Sequence, residues 1–500
     1  MSAMRYQSTR NKSVKLSSAE AIVRGLSTDG GLFVPETFPA ITEQAIQELA
    51  TKSYAERAAY VMGLYLDDFT ADELKEYTNA AYSAPGYDDP AIAPITRTDG
   101  GAYFLELWHG PTSAFKDMAL QMLPRLLTAS LKKTGEPREV CILVATSGDT
   151  GKAALEGFCD VPGTKIMVFY PQDGVSDIQK LQMTSQRGDN VNVTAVYGNF
   201  DDAQTGVKTI FSDEATRAAL SKRGYFLSSA NSINWGRLLP QIVYYISAYC
   251  DMMKSGAIAY GDKLNFCVPT GNFGNILSAY YAKKMGLPIG RLICASNRND
   301  VLTEFISTGV YNRQRPFYTT ISPSMDILVS SNLERLLFDL SGGSDGQVAG
   351  YMSSLAVSGQ YKASPGIMSA IKRDFAAGFC SDEETKITIA DMFREHGYLI
   401  DTHTAVGYKV LCDYQAETGD TTPTVVVSTA SPFKFCDSVL DALGHVSDAG
   451  GVQLLDKLEF VSGNAAPAPL SALCGKTARF SATVETSGMN AAVMEFLGGK

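Results

Sequence analysis

Five short stretches place reactive or anion-binding side chains beside glycines or at a helix start. The first reads HGPTSAFKDMALQ, residues 109–121, and sets Lys116 between an aromatic ring and an acid where a helix begins. A helix start favours anions. A lysine there is either a surface residue bearing a small penalty or an amine needed at that place. The second, VATSGDTGKAAL, is a strand ending near Ala145, a turn with Gly148 and Gly151, and a helix start. Thr146, Ser147 and Thr150 add hydroxyls to free N–H groups, a combination suited to a carboxylate or phosphate. A plain strand-to-helix turn explains this stretch equally well, and the G-x-x-x-x-G-K-[ST] nucleotide loop is absent. The third, CVPTGNFGNILSAYY, repeats the junction with Gly271 and Gly274. No basic side chain lies inside it, so a phosphate there would rest on N–H groups. It lacks the G-x-G-x-x-G dinucleotide pattern with a later acid. The fourth, VVVSTASPFKF, ends a strand at Ser428-Thr429, and Pro432 opens the next helix. Its hydroxyls could bond a buried ligand nitrogen, although such a fragment alone is more often a turn. In the fifth, SSANSINWGRLLPQ, Asn231, Ser232, Asn234 and Arg237 crowd a helix start. Arg237 could grip a phosphate or carboxylate with two bonds; a cap followed by a surface arginine is the simpler reading.

These fragments need a scaffold. The 500 residues exceed one ordinary core and predict two or three lobes. Hydrophobic residues at 45% and charged residues at 19% describe a folded globule. Net charge is -10 and no Lys/Arg tract occurs, which argues against nucleic acid and anionic membranes as partners. The longest apolar run, LLPQIVYYISAYCDMM, is cut by Pro240 and Gln241, and the N-terminus lacks the apolar core of a signal peptide. Nine cysteines without a C-x-x-C pair fit reduced thiols in a cytoplasmic protein, and four histidines argue against His-rich metal chemistry.

Residues 1 to about 90 read as a separate N-terminal domain. Its STDGGLFVPE turn leads into a strand stopping at Pro35, and Thr70-x-x-Glu73 opens a helix as a capping box. SAPGYDDPAIAP reads as a linker. Beyond it, residues 91–500 form the second domain, with a smaller lobe at roughly 130–225. EVCILVAT, TKIMVFY, NVTAVYG, KLNFCVPT, RLICASN and PTVVVST are β-branched runs without polar alternation, as strands buried on both faces require. Helical segments separate most of them, so the fold class is α/β with parallel sheets. SGGSDGQVAGYMSSLAVSGQ is small and polar and reads as a mobile excursion; SDEETKITIADMFREHG reads as a helix capped by Ser381 and Glu384 and ended by Gly397.

Chemistry in such sheets sits where strands end and helices begin. A helix-start lysine, a phosphate cup without basic side chains and a hydroxyl partner for a nitrogen together describe a pyridoxal phosphate (PLP) site. Lys116 then makes sense as an amine depressed by burial and converted to an imine.

The chain resembles the threonine synthases of the longer class. DGGLFVPE, HGPTSAFKDMALQ, ATSGDTGKAAL, NSINWGRLLPQ, PTGNFGN, DTHTAVG and STASPFKF occur in that family's order, from about residue 5 onward. The resemblance implies a fold type II PLP enzyme, tryptophan synthase β-like, with two α/β lobes and an added N-terminal domain. It implies O-phospho-L-homoserine as substrate, and L-threonine and phosphate as products. Lys116 corresponds to the Schiff-base lysine. Gly271, Asn272, Phe273, Gly274 and Asn275 match the cofactor phosphate loop, and Thr429 the partner of the pyridine nitrogen. Thr146, Ser147, Asp149 and Thr150, with Asn231, Ser232, Asn234 and Arg237, fall in substrate-binding segments. Arg237, Lys152 and the turn amides are candidates for the leaving phosphate. Ser431 and Phe433 depart from the family's usual TAHPAKF, and Asn275 stands where some members carry Asp. His403 is expected to be structural rather than catalytic. Three rival readings stand beside this one: another fold type II enzyme such as a dehydratase, a non-catalytic PLP-binding regulator, and a nucleotide-binding α/β protein. Monomer and homodimer both remain open.

Overall fold

The computed structural model describes residues 4–446 and 449–498. The chain opens with three short strands, β1 (Tyr6–Ser8), β2 (Asn11–Leu16) and β3 (Phe33–Pro35), paired antiparallel in the order β2-β1-β3. Pro35 ends β3 as expected. Helix α1 (Ser18–Arg24) lies between β2 and β3; α2 (Glu43–Leu49), α3 (Tyr54–Gly63) and α4 (Ala71–Ala81) follow. Capping boxes start α1, α3 and α4, the last being the Thr70/Glu73 pair read from the sequence.

This module is joined to the rest by two arginine–carboxylate pairs. Arg10 grips Glu334 through Nε and Nη2 at 2.9 and 2.7 Å. Arg57, 4% exposed, donates to Ser247 Oγ and Asp251 Oδ1, both at 2.7 Å. Removing Asp251 would leave the buried Arg57 guanidinium without a counter-charge, and removing Arg10 would do the same to the buried Glu334 carboxylate, which makes the joint specific.

The edge strand β4 (Ile95–Arg97) and its neighbour β5 (Tyr103–Glu106) precede helices α5 (Asp117–Leu120) and α6 (Leu123–Thr134). A strand–helix alternation then runs β6 (Glu139–Ala145), α7 (Asp149–Phe158), β7 (Thr164–Pro171), α8 (Asp177–Thr184) and β8 (Val191–Val196). Helices α9 (Phe200–Ser212) and α10 (Glu214–Lys222) lead to β9 (Tyr225–Ser228). A long helix, α11 (Trp235–Lys254), crosses to β10 (Leu264–Pro269), α12 (Gly274–Lys284) and β11 (Ile289–Ser296). A two-stranded ribbon, β12 (Val310–Asn312) and β13 (Gln360–Lys362), precedes β14 (Phe375–Phe379), β15 (Thr424–Ser428) and β16 (Thr483–Val484).

Two sheets carry the architecture. The smaller has the order β16-β8-β7-β6-β9 and is parallel throughout. The larger has the order β14-β11-β10-β15-β5-β4 and is parallel except for its antiparallel β4 edge. All six β-branched runs form strands, and every residue of β10 and β15 is buried. The fold class read from the sequence is the one present.

One local reading changes. Residues 345–358 form a helix, not an irregular excursion; Ser344 caps it and Gly359, at φ +71°, stops it. The signals were local and sufficient: Val348, Tyr351, Met352 and Leu355 recur at helical spacing between the Ser344 cap and the Gly359 stop, and the small residues around them drew the reading away. Pro240 does not interrupt α11, which runs through it. The lost backbone bond is offset by packing, since seventeen of the twenty helix residues are buried. Among the described residues, no helix is long and apolar enough to cross a membrane.

Candidate active site

Lys116 and Thr429 come together because their loops are stitched to each other. Ala114 and Ala430 form an isolated antiparallel bridge. The Phe115 N–H donates to the Thr429 carbonyl at 2.8 Å, and the Ser431 N–H to the Ser113 carbonyl at 3.1 Å. Thr429 follows β15, so the larger sheet positions the lysine loop. On its other side, Arg237 Nη1 donates to the Lys116 carbonyl at 2.9 Å.

A cavity opens at this point, at the carboxyl ends of β10 and β15. Lys116, Thr150, Asn231, Ser232, Arg237, Thr429 and all of Gly271–Asn275 line it. Eleven of the sixteen residues named from the sequence are therefore gathered in one place. Burial, then the Arg237 and Lys434 cations, push the Lys116 amine down to about 7 against the pull of Asp149. Near neutral pH much of the lysine is then an uncharged amine, the form able to attack a carbonyl. This resolves the conflict with the helix dipole: the site disfavours the ammonium, and α5 is only four residues long.

The opposite wall is short of acceptors. Arg237 is 2% exposed, and no carboxylate lies within ion-pair distance of it among the described residues. Its Nε has no hydrogen-bond partner, and neither has Asn275 Nδ2. Burial lowers the Arg237 guanidinium to about 10, which leaves it charged at neutral pH. Asn275 Oδ1 accepts from the Tyr244 and Tyr245 hydroxyls at 2.5 and 2.6 Å, which turns the amide nitrogen away from them. Buried donors without partners are rare, and two of them lining one cavity suit an anion there.

The loop preceding α12 has the backbone of an anion cup. Phe273 adopts φ +62° as its N-terminal flank, a left-handed conformation uncommon for a bulky residue. The glycines answer to the protein as well as to any ligand. A Cβ on Gly271 would sit 2.9 Å from the Ser324 carbonyl oxygen, and one on Gly274 would sit 3.3 Å from Asn332 Nδ2.

Thr429 is available where Ser428 is not. Ser428 Oγ accepts from Trp108 Nε1 at 3.1 Å and from Thr404 Oγ1 at 3.2 Å. Thr429 lines the cavity, and its side chain has no hydrogen bond among the described residues.

Five residues named from the sequence do not line the cavity: Thr146, Ser147, Asp149, Lys152 and Asn234. Thr146 Oγ1 accepts from the Gly148 and Gly151 N–H groups and so closes its own turn. Asn234 caps α11 through Oδ1 and donates through Nδ2 to the Ile22 carbonyl. Lys152 reaches Glu156 at 2.7 Å and Gln186 at 2.5 Å. Asp149 is buried in an ion pair with Lys434 at 2.7 Å and also accepts from Gln179 and Ser324. The signal for Lys434 was a lysine inside the apolar SPFKF run; Ser324, Met325 and Gln241, which line the cavity, carried no local signal.

His403 also lines the cavity, with both ring nitrogens engaged by Asp401 Oδ1 at 2.8 Å and the Ser324 N–H at 3.1 Å. Ser431 accepts from the Phe433 N–H and so closes the turn at Pro432–Phe435.

The Asp149–Lys434 pair ties α7 of the smaller sheet to the end of the larger one. Burial alone would raise the Asp149 carboxyl; Lys434 and Gln179 outweigh it and bring it to about 2. The pair's stabilisation is therefore present above the ordinary carboxyl value, about 3.9, and is lost as pH falls through about 2. Asp149→Ala leaves the Lys434 ammonium, 0% exposed, without a counter-charge. It should cost about 3–5 kcal/mol in urea unfolding at neutral pH; a loss below about 1 kcal/mol would contradict this account.

Comparison with known proteins accords with this geometry. The family model "Threonine synthase N terminus" matches residues 5–82, "Pyridoxal-phosphate dependent enzyme" residues 88–430, and "Threonine synthase, C-terminal" residues 404–492. The chain is 41% identical to Threonine synthase-like 1 of Homo sapiens over 85% of its own length, and it spans 58% of that relative's length. It is 41% identical to Threonine synthase of Pseudomonas aeruginosa, covering 87% of this chain and 90% of that one. The PLP-bound threonine synthase structure from Brucella melitensis superposes with a TM-score of 0.86 at 38% identity, covering 99% of this chain and 100% of that one. The chain belongs to the threonine synthase family of pyridoxal-phosphate dependent enzymes.

Proposed function

We propose that the chain converts O-phospho-L-homoserine and water to L-threonine and phosphate, with PLP as cofactor. The observation that carries the reading is one cavity holding a depressed lysine amine, an unpaired buried arginine and a phosphate-type loop. The residues fit the cofactor: Asn275 Nδ2 is a buried donor without a partner, and Thr429 is a cavity hydroxyl without one.

Residues Gly271–Asn275 would hold the cofactor phosphate through N–H groups and the Asn275 amide, and Thr429 would meet the pyridine nitrogen. A neutral hydroxyl there, in place of a carboxylate, suits elimination and replacement better than transamination. When bound, PLP supplies an electron sink for negative charge developing on the substrate carbons. Lys116 would anchor the cofactor. Once displaced by the substrate amine, it would take the Cα proton and later return one. Arg237, Thr150, Asn231 and Ser232 would hold the substrate's anionic groups and stabilise the departing phosphate. Asp149, Lys434 and His403 would act by positioning, since their polar atoms are engaged with protein.

Three broader readings accompany this one. The domain boundary near residue 90 is supported by the family matches on either side of it. A smaller lobe at roughly 130–225 is supported by β6–β9, with β16 added to it from the far end of the chain. A cytoplasmic setting is supported by nine cysteines, all free.

The test is a coupled phosphate-release assay with chromatography of the amino acid product. Threonine and phosphate should appear in equal amounts. A ketoacid formed equally well from serine and from O-phospho-L-homoserine would move the chain to the dehydratases.

A further inference from the structure

A second cavity, of about 1190 Å³, adjoins the first and shares Asn231, Ser232 and Asn272 with it. Its walls come from the N-terminal module, the smaller-sheet region and the segments around β12. Arg10, Arg24, Arg138, Lys208, Arg217 and Arg313 line it, against only Glu214 and Glu334. This positive surplus lies in a chain whose net charge is -10.

Part of that charge is already committed. Arg10 is paired with Glu334 and Arg138 with Glu136, and Arg217 stands 3.9 Å from Glu214. Arg24, Lys208 and Arg313 have no carboxylate within ion-pair distance among the described residues. They come from three separate places: the last residue of α1, the middle of α9, and the position after β12. Burial and Arg313 lower the Lys208 ammonium against the pull of Asp201, so two cations act on each other across the space.

Unpaired like charges converging on a cavity repel one another, and an incoming anion relieves that repulsion. Outside about 8–10 Å at physiological salt, the chain's overall negative charge is screened. Within that range the local positive walls set the field a small anion meets. We propose that this vestibule is an electrostatic capture site for the phosphate-bearing amino acid, in which Arg24, Lys208 and Arg313 draw the anion in and pass it to Asn231 and Ser232. The inference rests on the proposed O-phospho-L-homoserine reading.

The experiment measures steady-state phosphate release by the holoenzyme from O-phospho-L-homoserine across a range of ionic strengths. Wild type, the double variant Lys208→Glu/Arg313→Glu, and Lys263→Glu are compared. Lys263 is exposed just before β10, at the opposite end of that strand from the site. At low salt the double variant should lose about tenfold or more in kcat/KM, with a much smaller change in kcat. Its kcat/KM should fall less steeply with salt than that of wild type, and Lys263→Glu should behave as wild type. A double variant matching wild type in kcat/KM and salt slope overturns the capture site alone. So does an equal loss in Lys263→Glu, which would assign the effect to net charge. Absence of turnover by wild type overturns the substrate reading and this inference with it.

Discussion

Lys116→Ala should abolish turnover, with kcat falling by about 10⁴ or more, and should remove the visible absorption of lysine-bound cofactor. The fold should survive, because the main-chain bonds that hold the loop, from Phe115 to Thr429 and from Arg237 to the Lys116 carbonyl, do not use the lost amine. The pH dependence is a finer check. With its amine brought to about 7, Lys116 in cofactor-stripped protein should bind added PLP faster as pH rises through 7, and then level off well below the range of an ordinary lysine. Absorption spectra before and after O-phospho-L-homoserine, with stopped-flow mixing for the reloading rate, supply both measurements. Wild-type turnover in the variant would remove Lys116 from the chemistry altogether.

Arg237→Ala should reduce kcat/KM for O-phospho-L-homoserine by about 10²- to 10³-fold, the cost of truncating one partner of a buried charge pair. Residual reaction with serine or threonine, which lack the distal phosphate, should change much less. The two substrates separate a role in phosphate binding from a merely structural one, because loss of the Arg237–Lys116 carbonyl bond would affect both alike. By the same argument homoserine should be nearly inert in wild type. A site built around buried donors rejects a ligand that leaves them unpaired by factors near 10⁴. Equal losses on both substrates would reassign Arg237 to holding the lysine loop, and ready turnover of homoserine would argue against a phosphate subsite.

Much of this was legible in the sequence because the signals were local. Capping boxes at Thr70 and Ser381 acted within one turn, and the β-branched runs needed burial on both faces wherever they lay. The helix at 345–358 was misread although Val348, Tyr351, Met352 and Leu355 stand at helical spacing, because the glycines and serines around them gave the segment the composition of a loop. Asp149 and Lys152 were read as substrate contacts from their place in a glycine turn. The partner of Asp149, Lys434, belongs to a distant segment, so the sequence around the turn held no notice of it; the partner of Lys152, Glu156, lies four residues on in the same helix and was a local signal passed over.

By itself, the sequence determined the α/β class, the strands, the helix starts and the residues with the right chemistry, since each depends on neighbours within a few positions. Only the tertiary structure decided which of those residues face one cavity. Arg237 meets the Lys116 carbonyl across 121 positions, and Thr429 reaches that loop through a bridge between Ala114 and Ala430. It also decided the protonation of Lys116, because the amine is depressed by burial and by cations that folding alone brings close.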